Sequence, residues 1–281
     1  MTISGNARIA GVMGWPVAHS RSPRLHNFWL DQYGIDGAYV PFPVEPSGLE
    51  AALRALPKLG IGGVNVTVPH KEQAYRIVDE TDDTAARIGA VNTITVTDDG
   101  NLTATNTDAF GFTEALRARA PDWSPASGAA VILGAGGASR AILVALQNLG
   151  VSEIRVVNRT LERAQALADE LGAPLVAIPW ADRETALGDA GLLINSTTLG
   201  MQGQPSLDLR LDDLPRTAVV NDIVYAPLFT KLLEAAEARG NAIVDGLEML
   251  LHQARPGFHA WYGREPEVTD ALRGFVGEDL L

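Results

Sequence analysis

Lys71 and Asp108 are the side chains whose types best suit proton transfer. Lys71 follows Asn65-Val66-Thr67-Val68-Pro69-His70, in which Asn65 and Thr67 are predicted to share one face of a strand that Pro69 ends. Asp108 closes a second polar turn, Asn106-Thr107-Asp108, directly before a predicted helix. A buried lysine beside a carboxylate can exchange a proton with a substrate hydroxyl. The spacing alone does not bring the two groups together, and Asp108 also suits a simple N-cap.

Lysine is rare in this chain. Of its 22 basic residues, only Lys58, Lys71 and Lys231 are lysines. Arginine cannot lose its proton in a protein, whereas lysine can. Lys71 also opens a predicted helix, where the helix dipole disfavours a cation. These features make Lys71 a better candidate for proton chemistry than an ordinary lysine, and the alternative is that each lysine is simply a surface charge.

The segment His19-Ser20-Arg21-Ser22-Pro23 places two hydroxyls beside the start of another predicted helix. Serine followed by proline is typical of an N-cap and the first helical position, so capping is the simpler interpretation for Ser22. The five histidines of the chain do not form a metal-ligand pattern. We therefore expect no metal site.

A glycine-rich loop indicates a dinucleotide site. The predicted strand Val131-Ile132-Leu133 runs into Gly134-Ala135-Gly136-Gly137-Ala138-Ser139, and a helix follows. Gly134 permits the tight turn, and Gly136 lets the backbone approach a pyrophosphate at the helix N-terminus. Ser139 replaces the usual third glycine, which weakens the match a little. A structural turn or a loop for another nucleotide-type ligand is the alternative.

The end of the next predicted strand indicates which dinucleotide binds. An NAD-type site places a carboxylate there, about 20 residues after the first glycine. Here the strand leads into Asn158-Arg159-Thr160, and Arg163 follows one turn later. Two guanidiniums favour the 2′-phosphate of NADP, although an ordinary solvated helix start is the alternative. With a nicotinamide cofactor beside Lys71 and Asp108, the reaction would be hydride transfer at a secondary alcohol or ketone.

Alternating strands and helices must position these groups. The sequence predicts a strand over 63–68, helices over 47–56, 71–78 and 228–239, and a hairpin turn at Asp98-Asp99-Gly100. From residue 130 onward the alternation is regular and predicts a parallel sheet with helices on both faces. A final apolar helix is predicted over 246–262. The fold class is therefore α/β.

Composition narrows the class of protein. A chain of 281 residues with 46% apolar and 20% charged residues fits two small globular domains and excludes disorder and coiled coil. Its net charge of −12 makes nucleic acid and anionic membranes poor partners. The absence of cysteine excludes disulfides, thiolate metal sites and a cysteine nucleophile. With no visible signal peptide or membrane span, we expect a cytoplasmic protein.

In the order and spacing of its motifs, the chain resembles the shikimate dehydrogenase family over nearly its whole length. The segments that carry the resemblance are 14–23, 65–71, 90–93, 106–108, 134–140, 158–160 and 245–247 with Met249, Leu250 and Gln253. The resemblance implies a substrate domain and a Rossmann NADP domain. It also implies NADPH-dependent reduction of 3-dehydroshikimate to shikimate, a step towards chorismate and the aromatic amino acids.

The resemblance also assigns roles to individual residues. Lys71 and Asp108 would be the catalytic pair. The expected substrate-binding residues are Ser20 and Ser22 at the carboxylate with Tyr225 near it, together with Thr67, Lys71, Asn92, Asp108 and Gln253. The expected cofactor-binding residues are Gly134, Ala135, Gly136, Gly137 and Ala138 at the pyrophosphate, Asn158, Arg159, Thr160 and Arg163 at the 2′-phosphate, Ile223 and Gly246 near the nicotinamide, and Asp83, which matches an acidic position that sometimes approaches the cofactor.

The family pattern divides the chain into a substrate domain, 1–108 with 246–281, and a Rossmann domain, 109–245, with the reaction in the cleft between them. A monomer or a homodimer is expected.

The sequence leaves two alternative functions open. An NAD-preferring quinate/shikimate dehydrogenase would carry an aspartate near position 160, and a non-catalytic NADP-binding regulator would lack the lysine or the aspartate. Thr105 and Lys231 depart from the family pattern and leave fine substrate preference undecided.

Overall fold

Two six-stranded sheets organise residues 2–280, the part of the chain that the computed structural model describes. Each sheet lies in its own unit. The first unit is Met1–Asp108 with Gln253–Val276, and the second is Ala109–His252 with Gly277–Leu281. The sequence-based division grouped 246–281 with the first domain, whereas the structure groups 246–252 with the second unit. There, Arg119 Nε donates to Glu248 Oε1 at 2.8 Å.

The sheet of the first unit mixes parallel and antiparallel strands. Its strands are β1 (Arg8–Gly14), β2 (Gly37–Pro43), β3 (Ile61–Val66), β4 (Glu80–Thr81), β5 (Thr93–Val96) and β6 (Leu102–Thr105). Their order is β2-β1-β3-β5-β6-β4. β1 pairs in parallel with β2 and β3, and β5 runs antiparallel to β3 and β6. The predicted hairpin between β5 and β6 is confirmed.

Helices bury apolar faces against this sheet. They are α1 (Ser22–Gln32), α2 (Leu49–Ala55), α3 (Lys71–Ile77) and α4 (Asp83–Ile88), joined by the second part of α9 (Gly246–Tyr262) and by α10 (Asp270–Gly277). Trp29 of α1 and Phe258 of α9 are fully buried, with ring centroids 5.2 Å apart. Trp261 Nε1 donates to the carbonyl oxygen of Ile94 at 3.0 Å. These contacts fix α9 against β5, whose start carries part of the candidate site.

The sheet of the second unit is parallel throughout and has the doubly wound order. Its strands are β7 (Ala129–Leu133), β8 (Ile154–Asn158), β9 (Leu175–Pro179), β10 (Ala190–Asn195), β11 (Val219–Asp222) and β12 (Ala242–Val244), in the order β12-β11-β10-β7-β8-β9. The helices are α5 (Asp108–Arg119), α6 (Gly137–Leu149), α7 (Leu161–Leu171) and α8 (Lys231–Ala238), with the first part of α9. The predicted parallel sheet is confirmed. The strand order reverses between β7 and β10, which is where such sheets bind ligands.

Several sequence-based bounds are wrong, each for a local physical reason. β3 ends at Val66, so Thr67 follows the strand rather than sharing a face with Asn65. Ser47 does not cap a helix, because Pro46–Gly48 form a 3-10 turn and α2 begins at Leu49. The helix predicted over 228–239 begins only at Lys231, because the Thr230 side chain caps it by accepting from the Leu233 N–H. The short elements β4, α4 and α10 were not predicted.

Candidate active site

Lys71 and Asp108 meet in the first unit. Lys71 Nζ donates to Asp108 Oδ2 at 2.5 Å, and Asn92 Nδ2 donates to Asp108 Oδ1 at 2.7 Å. The Asp108 side chain is 9% exposed and that of Lys71 is 26% exposed. Both carboxylate oxygens therefore accept hydrogen bonds, while the Lys71 side chain stays partly exposed. The pairing that spacing could not establish is present.

Asn92 holds this pair against neighbouring elements. Its Oδ1 accepts from the Thr107 N–H at 2.8 Å and from the Thr93 hydroxyl at 3.0 Å, so its Nδ2 must face Asp108. The same Nδ2 lies 3.3 Å from Gln253 Oε1 on α9. The Thr107 hydroxyl donates to the Gln253 carbonyl oxygen at 2.8 Å. Three segments far apart in sequence, 92–93, 107–108 and the part of α9 at Gln253, thus form one polar cluster around the carboxylate.

Ser22 does not serve as the cap of α1. The N-cap position is Arg21, no side chain caps the helix, and Ser22 is already inside it. Ser22 instead hydrogen-bonds to the hydroxyl of Tyr39, which donates to Asn65 Oδ1 at 2.6 Å. Burial raises the pKa of Tyr39 well above its ordinary value, so the hydroxyl stays protonated. The capping interpretation is wrong because this tertiary partner competes successfully for the hydroxyl.

Tyr39 and Asn65 are members of the cluster that the sequence did not assign to the site. Asn65 Nδ2 donates to the Asn92 carbonyl oxygen and to the Thr93 hydroxyl, each at 3.0 Å. Tyr39 lies in the largely apolar sequence of β2, and that pattern indicates core packing rather than a functional role. The one available signal was the polar residue Asn65 inside an otherwise apolar strand, because a buried amide requires partners.

Ser20 and Thr67 lie on the loops that follow β1 and β3. These strands are parallel neighbours, so their carboxyl ends meet at one edge of the sheet. The Trp15 N–H donates to the Val68 carbonyl oxygen at 3.1 Å and ties the two loops together. Both hydroxyl residues are partly exposed. They are consequently accessible to a small molecule at this edge.

The glycine loop between β7 and α6 has the geometry of a pyrophosphate cradle. Gly134 has φ +110°, and an added Cβ there would meet Ser196 Oγ at 2.9 Å. A Cβ at Gly136 or Gly137 would meet nothing within 4 Å, so open space lies in front of the α6 N-terminus. Ser139 is fully buried and accepts from the Gly136 N–H at 3.0 Å. A small residue is therefore sufficient where the third glycine usually stands.

Arg159 and Arg163 lie exposed after β8, with Thr160 between them. Within residues 2–280 neither guanidinium has a hydrogen-bond or ion-pair partner. Asn158 Nδ2 donates to the Thr160 carbonyl oxygen at 2.8 Å and so shapes the turn. Two uncompensated cations at this edge of the sheet suit a dianionic phosphate. The donor set of the second unit therefore fits NADP.

The loop after β11 lies beside the start of α9. A Cβ at Gly246 would approach the Ile223 carbonyl oxygen to 2.3 Å, so only glycine fits there. Tyr225 belongs to the second unit, while the other predicted substrate residues belong to the first. Asp83 belongs to the first unit, away in sequence from the cofactor loops of the second. The roles assigned to Tyr225 and Asp83 stay predictions.

Metal ligands do not cluster in the described part of the chain. Residues 2–280 contain no group of three or more histidine, aspartate or glutamate side chains that could hold a metal ion. No helix in this range has both the length and the apolar character that crossing a membrane requires.

The sequence and the fold are both similar to those of known proteins. Residues 12–94 match the family model for the shikimate dehydrogenase substrate binding domain, and residues 118–202 match that for shikimate / quinate 5-dehydrogenase. The shikimate dehydrogenase (NADP(+)) of Paramagnetospirillum magneticum is 61% identical over 98% of this chain and 99% of its own length.

Two solved structures illustrate the structural likeness. The shikimate 5-dehydrogenase of Thermus thermophilus, in complex with NADP(H) and shikimate, is 36% identical with a TM-score of 0.86, over 98% of this chain and 100% of that one. The quinate dehydrogenase of Corynebacterium glutamicum, in complex with NAD, is 30% identical with a TM-score of 0.89, over 96% of this chain and 98% of that one.

Proposed function

The chain belongs to the shikimate dehydrogenase family, and we propose that Lys71 and Asp108 carry the proton transfer of its reaction. The enzyme is an NADP-dependent oxidoreductase that interconverts 3-dehydroshikimate and shikimate. The single observation that supports the proposed roles is the pair of hydrogen bonds to Asp108, from Lys71 Nζ at 2.5 Å and from Asn92 Nδ2 at 2.7 Å.

Reduction of the ketone requires one hydride and one proton. NADPH, when bound, supplies the hydride to the carbonyl carbon. The Lys71 ammonium donates its proton to the carbonyl oxygen, which becomes the hydroxyl of shikimate, and Lys71 then regains a proton from water. Asp108 holds the ammonium in place by its charge, and Asn92 holds Asp108. In the oxidation direction, neutral Lys71 accepts the hydroxyl proton.

The remaining polar residues of the first unit would orient the substrate. Ser20 would donate to its carboxylate, which needs hydrogen-bond partners once it leaves water. Ser22 would do the same by turning its one hydroxyl hydrogen from Tyr39 to the ligand. Thr67, Asn92 and Gln253 would hold the ring hydroxyls, and the 3.3 Å contact between the Asn92 and Gln253 amides supports a shared role.

The second unit would bind NADP through two anion sites. The pyrophosphate would lie on the N-terminus of α6, where the backbone is open at Gly136 and Gly137. The 2′-phosphate would lie between Arg159 and Arg163, whose guanidiniums have no other partner among residues 2–280. The same arginines disfavour the NAD-preferring alternative, because no carboxylate stands at the end of β8 for the ribose hydroxyls.

Initial rates with shikimate and quinate, each with NADP and NAD, test the proposal. Shikimate with NADP should give the highest kcat/KM of the four combinations. A preference for quinate with NAD would make the protein a quinate dehydrogenase. Binding of NADP without oxidation of either substrate would make it a regulator. Sedimentation velocity and cell fractionation would test the predicted monomer or homodimer and the predicted cytoplasmic location.

A further inference from the structure

Asp222 is a fully buried carboxyl group at the end of β11. Among the described residues, three donors reach it: Asn195 Nδ2 at 3.0 Å, the Val224 N–H at 3.0 Å and the Thr230 hydroxyl at 2.7 Å. Asn195 cannot turn its amide around, because its Oδ1 accepts from the N–H and the hydroxyl of Thr197. Each of these groups therefore donates a hydrogen bond to Asp222, and these bonds stabilise the ionised carboxylate.

Among residues 2–280, no cation bonds to the Asp222 carboxylate. Burial raises the pKa of Asp222 to about 6, and the hydrogen bonds from Thr230, Val224 and Asn195 oppose that rise. The ionisable residues on the flanking elements are Lys231, Glu234 and Glu237 on α8, Tyr225 in the loop after β11, Asp245 after β12, and Glu248 and His252 near the start of α9. None of these residues contributes to the shift in the pKa of Asp222. At neutral pH, Asp222 is thus an ionised group whose charge is balanced only by dipoles.

Asp222 lies at the part of the sheet edge where the nicotinamide half of the cofactor would bind. In a doubly wound sheet a dinucleotide lies across the carboxyl ends of the strands. The glycine loop after β7 takes the pyrophosphate, and Arg159 after β8 takes the 2′-phosphate. The nicotinamide half must then extend the other way, towards the ends of β10 and β11, which carry Asn195 and Asp222. The oxidised nicotinamide ring carries a positive charge, whereas the reduced ring is neutral.

We propose that the Asp222 carboxylate, buried beneath residues 223–225, raises the affinity of the second unit for NADP⁺ relative to NADPH. This inference rests on the proposed binding of NADP at this edge of the sheet. A fixed negative charge attracts the cationic ring and leaves the neutral ring unaffected, and the attraction is strong where water is excluded. Contacts with the pyrophosphate and the 2′-phosphate are common to both forms and do not distinguish them. Asp222 would therefore act on the oxidation state of the cofactor rather than on its identity.

Isothermal titration of the full-length protein with NADP⁺ and with NADPH, without substrate, tests this at pH 8. In Asp222→Asn the ratio of the Kd for NADP⁺ to that for NADPH should rise about tenfold over the wild type. Thr230→Val is the matched control, because it removes one hydrogen bond to Asp222 and keeps the charge. It should leave the ratio unchanged even where it weakens both affinities.

The wild type supplies a second measurement that does not depend on a variant. Its Kd ratio should rise as the pH falls through about 6, where Asp222 becomes protonated. Protonation of the 2′-phosphate cancels in the ratio, since both cofactors carry it. A ratio that is the same in wild type and Asp222→Asn, or that Thr230→Val changes equally, would overturn the inference and leave Asp222 as a loop-ordering residue. Failure of the wild type to bind either cofactor would instead refute the proposed function.

Discussion

Lys71 Nζ donates a 2.5 Å hydrogen bond to Asp108 Oδ2, so the group proposed to move the proton is held by the group proposed to orient it. Lys71→Arg keeps the charge and roughly the reach but removes proton exchange, because arginine does not deprotonate. We expect it to be nearly as inactive as Lys71→Ala, with turnover lowered about 10²–10⁴-fold. The loss should fall on kcat more than on KM for shikimate, because the interaction strengthens mainly in the transition state.

Steady-state kinetics of both variants from pH 6 to pH 10 would measure this effect. If Lys71→Arg kept nearly wild-type kcat over that range, Lys71 would be an electrostatic anchor. The proton donor would then have to be sought elsewhere, first at Asp108.

Local patterns in the sequence were sufficient to predict the parallel sheet and the glycine loop of the second unit. The strand, glycine loop and helix around Gly134 follow one another directly, so their periodicity and turn chemistry are visible without tertiary information. The same holds for the exposed arginines after β8. By contrast, the pairing of Lys71 with Asp108 depends on tertiary contacts within the first unit. Residue type identified both candidates, and only the fold brings them together.

One error arose where a tertiary partner changed a local preference. Ser22 before Pro23 has the local pattern of a cap, yet its hydroxyl bonds to Tyr39 on β2, too far away in sequence to be anticipated from a short window. The start of α8 was placed too early for a local reason, because Leu228 continues the apolar pattern. The true cap is Thr230, whose side chain accepts from the Leu233 N–H.

Ser20→Ala and Ser22→Ala should both weaken shikimate binding and leave the affinity for NADP unchanged. Loss of a hydrogen bond to a charged group costs about 1.5–3 kcal/mol, so the Kd for shikimate should rise at least tenfold in each variant. Ser22→Ala should also lower the unfolding temperature, because Ser22 is a partner of the buried Tyr39 hydroxyl. Calorimetric titration and thermal unfolding would measure the two effects separately. A loss of stability with unchanged shikimate affinity would show that Ser22 serves only Tyr39.

Arg159→Ala should raise the KM for NADP about tenfold or more and barely change that for NAD. The reason is that a charge-assisted bond to the 2′-phosphate contributes about 1.5–3 kcal/mol and is absent with NAD. Arg210→Ala is the matched control, because it removes the same charge from an exposed ion pair with Glu184 elsewhere in the second unit. It should leave both KM values unchanged. Equal effects of Arg159→Ala on the two cofactors would refute the assignment.

His26 should make the protein sensitive to acid. Its ring is fully buried and stacks on Tyr39 with centroids 4.0 Å apart. Within residues 2–280, neither ring nitrogen has a hydrogen-bond partner. Burial lowers the pKa of His26 from 6.5 to about 3, so the folded protein holds the ring neutral where the unfolded chain protonates it. The free energy of unfolding is therefore unaffected by His26 above pH 6.5, and it falls as the pH drops from 6.5 towards 3.

Between pH 7.5 and pH 5.0, this linkage should lower the free energy of unfolding by about 2 kcal/mol. His26→Phe keeps an aromatic ring on Tyr39 and cannot titrate, so its loss of stability over the same interval should be smaller by that amount. Urea unfolding at the two pH values would measure the difference. His259→Gln serves as the control, because the His259 side chain is 59% exposed, and it should behave like the wild type. Equal losses in the wild type and His26→Phe would mean that His26 accepts a proton without unfolding, and the buried ring would then need a partner that becomes available only in acid.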